Sequence, residues 1–236
     1  MKSQVLVLCY HGISAHWPAP TAVTPERFER QLTMLVRRGF RGMTFSEALT
    51  TPPAGRVLAV TFDDAARSVV LLAAPILDRL GLTATVFVPT GFPDDGRLMA
   101  WPGQDEWAAT DHADELACMS WDELRDLVGR GWEIGSHTRT HPRLTTLEDG
   151  ALEAELQGSR EDCEQQLKRP CASLAYPYSD FDDRVVRAAR AAGYQYAATV
   201  PREPVAPLPL QWPRVGVYRS DTPLRLAARI WRRGRR

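Results

Sequence analysis

The stretch VLAVTFDD, residues 57–64, carries the main fold signal of this chain. Its first six residues are mostly apolar and lack the alternation of a strand with one exposed face. Such a short run is typical of a strand buried on both faces in a parallel sheet. The run leads directly into two carboxylates, Asp63 and Asp64. A buried parallel strand with reactive side chains at its carboxyl end is typical of an α/β active site.

Six further runs share this pattern and are interpreted as strands: VLVLCY (5–10), TATVFV (83–88), WEIGS (132–136), SLAY (173–176), YQYAAT (194–199) and RVGVY (214–218). Helical segments with recognisable ends separate most of them. The predicted helices are Pro25 to Arg38 after Thr24, Ser120 to Gly131, Thr145 to about Lys168, Asp182 to Ala192, and a last helix from Thr222. Ser120 with Glu123, and Thr145 with Glu148, are predicted capping boxes.

This alternation predicts a single α/β domain over residues 1–236, built as a parallel sheet covered by helices. No repeat or linker-like change of composition divides the chain. Residues 91–119 lack periodicity and exceed an ordinary connection, and a loop of that kind usually serves a function. We therefore expect a functional loop insertion at about 91–119.

The charge balance excludes one function class. The chain has 29 basic and 29 acidic side chains, a formal net charge of zero and a pI near 7.0. A strongly basic nucleic-acid binder is excluded, and no nucleic-acid partner is expected. The cysteines are widely spaced without a CxxC pair, which predicts neither a disulfide framework nor a thiolate zinc site. They are Cys9, Cys118, Cys163 and Cys171.

The start of the chain lacks the pattern of a secretory signal. The apolar run from Val5 to Cys9 is only strand length and leads into Tyr10 and His11. No stretch approaches the ~20 apolar residues of a membrane span. We therefore expect a cytoplasmic protein without a transmembrane segment.

Reactive side chains follow four of the predicted strands: His11, the pair Asp63 and Asp64, the pair His137 and His141, and Tyr178 after Pro177. Two adjacent carboxylates at the end of a buried strand repel each other, and a divalent metal would compensate them. The imidazoles of HTRTH (137–141) are close enough, on a helical turn or a compact loop, to hold one ion. Taken alone, Asp64 could cap a helix and the histidines could be surface residues. Together they favour a catalytic metal site.

Three segments carry a family resemblance. TFDDA (61–65), GSHTRTHPRL (135–144) and AYPYSDFDD (175–183) resemble the first three motifs of the polysaccharide deacetylases, the NodB-homology or carbohydrate esterase family 4 enzymes. The resemblance extends from VLVLCYHGIS at the start to WPRVGVYRSD near the end. It implies a distorted (β/α) barrel with seven or eight strands, in agreement with the strand count above.

The resemblance also implies roles for individual residues. Asp63 would be the general base, and Tyr178 would offer its backbone N–H to the oxyanion. His11, in a Tyr-His pair found near the N terminus of one subgroup, would be the general acid. The implied metal ligands are Asp64, His137 and His141. The implied cofactor is one divalent ion, Zn²⁺ first, with Co²⁺, Mn²⁺, Ni²⁺ and Fe²⁺ as alternatives.

The chain departs from the family pattern at several positions. Ala65 replaces a common glycine, which constrains the turn after the metal ligand. The arginine frequent in the third motif is missing at Ala175, and Ser179 stands where glycine is common. Arg214 is a candidate to orient Asp63 in place of the missing arginine, and a surface or strand-edge arginine is the alternative.

The resemblance implies a hydrolase that removes an acetyl group from an N-acetylated sugar by metal-activated water. Two alternatives remain: a glycan-binding protein that has lost activity, and a non-haem iron oxygenase, which also uses two histidines and one carboxylate. The lack of a signal peptide favours a glycan intermediate, a lipid- or nucleotide-linked sugar, or a small acetylated metabolite over mature cell-wall polymer.

Tryptophans and a basic tail give further hypotheses. Sugar stacking is one interpretation of four tryptophans, and packing against the barrel rim is the other. They are Trp17, Trp101, Trp107 and Trp212. Trp121 and Trp132 are predicted core residues. The last arginines are interpreted as a solvated C terminus, with contact to an anionic membrane surface as the alternative. They are Arg232, Arg233, Arg235 and Arg236.

Overall fold

One parallel sheet organises the computed structural model, which describes residues 4–50, 55–203 and 205–233. Its strands are β1 (Gln4–Tyr10), β2 (Phe40–Gly42), β3 (Arg56–Phe62), β4 (Ala84–Val88), β5 (Glu133–Ser136), β6 (Ser173–Ala175), β7 (Tyr196–Thr199), β8 (Trp212–Pro213) and β9 (Val215–Gly216). Every pair of neighbouring strands is parallel. The carboxyl ends of these strands therefore lie at one edge of the sheet.

The strand order shows how the sheet curls into a barrel. It runs β8-β7-β6-β5-β4-β3-β1-β9, and β2 also pairs with β3. The end strands β8 and β9 are consecutive in the chain and only Arg214 separates them. Because β8 pairs with β7 and β9 with β1, this one segment joins the two ends of the sheet. The predicted distorted (β/α) barrel in a single domain is confirmed.

The helices are α1 (Pro25–Arg37), α2 (Phe45–Thr50), α3 (Ala74–Arg79), α4 (Trp121–Gly129), α5 (Asp149–Leu167), α6 (Asp183–Ala191) and α7 (Pro223–Arg233). A π-helical turn, Val69–Ala73, leads into α3. The predicted caps of α1 and α4 are present. The Thr24 side chain accepts a hydrogen bond from the Arg27 N–H, and Ser120 and Glu123 form a complete capping box.

One predicted cap is wrong. Helix α5 begins at Asp149, with Glu148 as its N-cap residue and no side-chain cap. The Thr145 hydroxyl instead lies 2.8 Å from Oδ2 of Asp180, and the Thr145 N–H also donates to that carboxylate. Thr145 therefore ties the loop before α5 to the loop after β6. Four short elements, β2, α2, α3 and β8, were not predicted from the sequence.

The alternation of side chains along β1 and β3 separates two cores. Leu58 and Val60 pack under the helices in the larger cluster, whereas Val57 and Ala59 belong to a smaller cluster with Phe87. Since neighbouring residues of a strand face opposite sides, Thr61 and Asp63 continue the face of Val57 and Ala59. The alternation of side chains along β3 therefore directs the Asp63 side chain into the barrel and not towards the helices.

The insertion at 91–119 contains two short 3-10 turns, Asp105–Trp107 and Ala113–Leu116. Its last residues return to the segment after β3, where the Met119 N–H donates to the Ala65 carbonyl over 2.9 Å. Within the described ranges, none of the helices combines the length and apolarity needed to cross a bilayer. Of the predicted basic tail, Arg235 and Arg236 lie outside the described residues.

Candidate active site

A cavity of about 360 Å³ opens at the carboxyl ends of the strands. Six of the seven residues with a predicted catalytic or metal-binding role line it together: His11, Asp63, Asp64, His137, His141 and Tyr178. They follow β1, β3, β5 and β6, so four strands position them. Asp63, Asp64, His137 and His141 are each buried. These four residues therefore form the buried floor of a cavity that opens at this edge of the sheet.

Three side chains in this cavity have the geometry of a metal site. Oδ1 of Asp64 lies 3.4 Å from Nε2 of His137 and 3.5 Å from Nε2 of His141. The three candidate ligand atoms all lie within 4.8 Å of one another. Ligand atoms about 2.0–2.1 Å from a tetrahedral ion are about 3.3 Å apart. The spacing observed around Asp64 fits a single ion.

The hydrogen bonds around this set also fit an ion. Nδ1 of His137 lies 2.7 Å from the carbonyl oxygen of Ala175, so Nδ1 is the donor and the lone pair of Nε2 faces the site. Oδ1 of Asp64 is buried, and no donor among the described residues reaches it within hydrogen-bond geometry. A buried carboxylate oxygen without a donor is costly unless a cation meets it. The residues present therefore fit a divalent metal.

The protonation states of the site also fit a bound cation. Burial alone would raise the pKa of Asp64, but the close approach of His137 and the neighbouring His11 and His141 lower that pKa to about 2. Burial and the neighbouring His137 lower the pKa of His141 to about 3. Asp64 is thus ionised and His141 neutral near pH 7, which are the forms in which both side chains bind metals.

Asp63 has a different partner. Its two carboxylate oxygens accept hydrogen bonds of 2.6 and 2.7 Å from Nη1 and Nη2 of Arg214. Nη1 of Arg214 also donates to Oγ1 of Thr61 over 2.9 Å. Burial would raise the pKa of Asp63, but the Arg214 charge, helped by His137, holds it well below its usual range. Arg214 is 1% exposed and lies 5.4 Å over the Phe87 ring. It is a buried partner of Asp63 and not a surface or strand-edge arginine.

His11 completes the group around Asp63. His11, Cys9 and Asp63 each offer an atom that lies within 4.8 Å of the others. The Cys9 thiol donates to Oδ2 of Asp63 over 3.4 Å. His11 lies at the cavity surface and is half-buried. The imidazole is therefore accessible from the cavity and close to Asp63.

Left-handed backbone is concentrated at the site. Positive φ angles occur at six non-glycine residues at or next to the cavity: Asp64, Ala65, Thr138, His141, Tyr178 and Ser179. Each such residue costs about 1–3 kcal/mol and persists only where the surroundings hold it. At Ala65, φ is 55°, the conformation that glycine adopts without cost. The turns that aim these side chains are strained.

The predicted tryptophans divide into two groups. Trp101 and Trp107 line the cavity. Trp17 and Trp212 do not belong to its lining: Trp17 is 2% exposed and packs edge-on against Trp107, while Trp212 packs against the smaller cluster that contains Phe87. Trp17 is a core residue because its ring fills the space behind the insertion. The predicted core residues Trp121 and Trp132 are both buried.

Comparison with known proteins identifies the family. A model of the polysaccharide deacetylases, described as "Polysaccharide deacetylase", matches residues 50–197, which is more than half of the chain. The chain belongs to the polysaccharide deacetylase family. The matched region contains Asp63, Asp64, His137, His141 and Tyr178, and the resemblance inferred from the three motifs is confirmed.

Individual relatives are distant. A poly-β-1,6-N-acetyl-D-glucosamine N-deacetylase of Staphylococcus aureus is 23% identical over 199 residues, covering 79% of this deacetylase-family chain and 63% of the relative. A polysaccharide deacetylase structure from Bacillus cereus has a TM-score of 0.79 and 26% identity over 96% of this chain and 69% of that one. The Streptococcus pyogenes deacetylase PplD in complex with acetate has a TM-score of 0.81 and 23% identity, covering 97% and 98%.

The chain spans about 63% of the length of the curated relatives it matches. The likeness to the Streptococcus pyogenes structure concerns the fold. Polysaccharide deacetylase family membership is thus established, and the metal and the substrate are inferred from the site itself.

Proposed function

We propose that the protein is a metal-dependent hydrolase that removes an acetyl group from an N-acetylated sugar or glycan intermediate. The observation that carries the proposal is the pairing of two groups in one cavity. The buried set of Asp64, His137 and His141 lies beside Asp63, which is held ionised by Arg214. A metal set next to a separate, oriented carboxylate is what hydrolysis by activated water requires.

Asp64, His137 and His141 would hold the ion through Oδ1 and the two Nε2 atoms. When bound, the ion supplies Lewis-acid polarisation of the amide carbonyl and lowers the pKa of water. Zn²⁺ suits this ligand set first, and Co²⁺, Mn²⁺, Ni²⁺ or Fe²⁺ are the alternatives because selectivity depends on availability as much as on ligands.

Asp63 accepts the proton of the attacking water. The bidentate contact with Arg214 fixes the plane of the Asp63 carboxylate. Because this side chain is already immobilised in the folded protein, substrate binding carries no further entropy cost for orienting it. Arg214 also keeps Asp63 ionised near pH 7, because its charge outweighs the effect of burial on the pKa. A base must be unprotonated before it can act.

His11 donates a proton to the leaving amine, and the Tyr178 N–H donates to the developing oxyanion. His11 lies at the cavity surface near Asp63, so an acid and a base can act on one substrate. Tyr178 lines the same cavity, with its ring 4.6 Å from that of His141. Donors fixed by the fold before the reaction stabilise charge without reorganisation.

The cavity and the relatives support the proposed substrate class. Aromatic rings in the lining, Trp101, Trp107, Tyr178 and Tyr218, suit the apolar faces of a sugar ring. The named Staphylococcus aureus relative is a deacetylase of poly-N-acetylglucosamine. A lipid- or nucleotide-linked N-acetylated saccharide is included in the proposal.

The test is an acetate-release assay on N-acetylated sugars of graded length, with purified protein stripped of metal and then reloaded. We expect release only with metal, and a loss of about 10²–10⁴-fold in kcat for Asp63→Asn, which cannot accept the proton. Equal release by the stripped and the loaded protein, or full activity of Asp63→Asn, would reject the proposal.

A further inference from the structure

Residues of the insertion at 91–119 contact the candidate metal ligands directly. Nε2 of Gln104 donates a hydrogen bond of 3.0 Å to Oδ2 of Asp64. The ring of Trp101 stacks on His141 with 3.9 Å between centroids and 19° between planes. Two of the three candidate ligands are therefore in contact with one short stretch of this loop, Trp101 to Gln104.

Gln104 decides which oxygen of Asp64 faces the histidines. With Oδ2 bound to the Gln104 amide, Oδ1 is the oxygen directed at Nε2 of His137 and Nε2 of His141. A carboxylate without such a partner can rotate about its last bond and lose this aim. Groups that hydrogen-bond to a ligand orient it, and their removal typically weakens metal binding by about 10–100-fold.

Hydrogen bonds and side-chain packing within the loop hold Gln104 in place. The Gln104 N–H donates to the Trp101 carbonyl over 2.9 Å, in a tight turn. Trp101 is 7% exposed and packs edge-on against Phe92. The far end of the loop is tied to the residues after Asp64, because the Arg67 N–H donates to the Ala117 carbonyl over 2.8 Å. The amide of Gln104 is thus fixed relative to Asp64 before any ion binds.

We propose that Gln104 is a positioning residue for the metal: its amide orients Asp64 for binding, and the 91–119 loop thereby sets the metal affinity of the site. The inference rests on the proposed function for the presence of a metal, and it adds the group outside the ligand set that controls affinity. It assigns a role to the insertion that does not depend on which sugar is bound.

The experiment measures metal affinity directly, by competition of the full chain with a chromophoric chelator for Zn²⁺ and by the visible spectrum after Co²⁺ loading. Gln104→Leu keeps the side-chain size and removes the hydrogen bond. We expect about 10–100-fold weaker Zn²⁺ binding and an altered Co²⁺ spectrum. Gln104→Asn, which keeps the amide but is one methylene too short, should behave in the same way.

Gln157→Leu is the matched control. Gln157 donates a hydrogen bond of 2.8 Å to a carboxylate oxygen of Glu161 on the exposed face of α5, and neither residue lines the cavity. This variant should bind both metals as the wild type does. Unchanged affinity and an unchanged Co²⁺ spectrum in Gln104→Leu and Gln104→Asn would overturn the inference and leave the proposed function standing. A wild-type protein that binds neither metal would overturn both.

Discussion

Replacing Arg214 with methionine should convert a satisfied buried charge pair into an isolated buried carboxylate. Asp63 is 5% exposed and lines the cavity, but Arg214 is 1% exposed and lies outside the cavity lining, so water from the cavity does not take the place of the guanidinium. Methionine preserves much of the length of the arginine stem and removes only the guanidinium. The variant therefore tests the charge of Arg214 more than its packing.

The magnitude can be worked from the contacts. Two charge-assisted hydrogen bonds to Asp63, of 2.6 and 2.7 Å, are lost. Hydrogen bonds to charged groups contribute about 1.5–3 kcal/mol each, and breaking a buried ion pair costs about 3–5 kcal/mol. For a chain of this size, a loss of about 3–5 kcal/mol lowers Tm by about 6–20 °C.

The pH dependence has a defined sign. In the wild type, the pKa of Asp63 lies below its unfolded value, so its contribution to stability is present above the unfolded pKa and lost only in strong acid. In Arg214→Met, burial is opposed only by the imidazoles, and we expect the pKa of Asp63 to rise above its unfolded value. Stability of the variant then falls as the pH rises through that new pKa. The deficit relative to the wild type should be small near pH 4 and full at pH 7.

The assay is urea unfolding of both metal-free proteins between pH 4 and pH 7. The double variant Arg214→Met/Asp63→Asn should recover most of the deficit at pH 7, because no unpaired charge remains. Arg125→Met is the control: it breaks an exposed pair with Asp122 on α4 and should cost under about 1 kcal/mol. A deficit that is the same at pH 4 and pH 7, or a double variant no more stable than Arg214→Met, would refute the reasoning.

Three further predictions concern other parts of the molecule. Asp64→Asn should abolish high-affinity Zn²⁺ binding in a chelator competition assay, because a neutral amide replaces the one charged ligand of the set; retained affinity would contradict the assignment. His11→Ala should lower kcat for acetate release by about 10²–10⁴-fold and leave Zn²⁺ affinity intact, and undiminished turnover would remove His11 from the mechanism. Glu133 accepts hydrogen bonds from Ser46, Thr85 and Ser173 at the amino end of β5. Glu133→Gln should therefore lower the free energy of unfolding in urea by about 1–3 kcal/mol without changing Zn²⁺ affinity. A change in Zn²⁺ affinity would show that the two ends of the barrel are coupled.

Much of the fold could be predicted because its signals are local. The run 57–62 gave β3 to within one residue, and the capping box of Ser120 and Glu123 placed the start of α4. The elements that were missed carry weaker signals. β2 has three residues and α2 has six, too few for a period to emerge. The predicted helix cap by Thr145 was wrong because its hydroxyl hydrogen-bonds instead to Asp180, a residue distant in sequence.

The site could be predicted in part for a related reason. Asp63, Asp64, His137 and His141 follow buried strands, and parallel topology alone places such residues at one edge. The bidentate geometry of Arg214 requires closure of the barrel between β8 and β9, which no local pattern specifies. Gln104 was missed altogether. It lies in an aperiodic loop 40 positions from Asp64, and only the folded loop brings the two together.

The HTRTH segment shows why residue spacing could indicate the ligands but not their geometry. Residues at i and i+4 can share an ion on a helical turn or in a loop, and the structure has the loop, with φ of 65° at Thr138 and 61° at His141. Side-chain hydrogen bonds hold this strained turn: Oγ of Ser136 accepts from the Thr138 N–H, and Oγ1 of Thr138 accepts from the His141 N–H. The imidazoles therefore meet at 70° between planes with both Nε2 atoms near Asp64. On a regular helix they would point out side by side. The strained turn at Thr138 and His141 thus directs two ligands at one point, and Ser136 and Thr138 support the site by holding that turn.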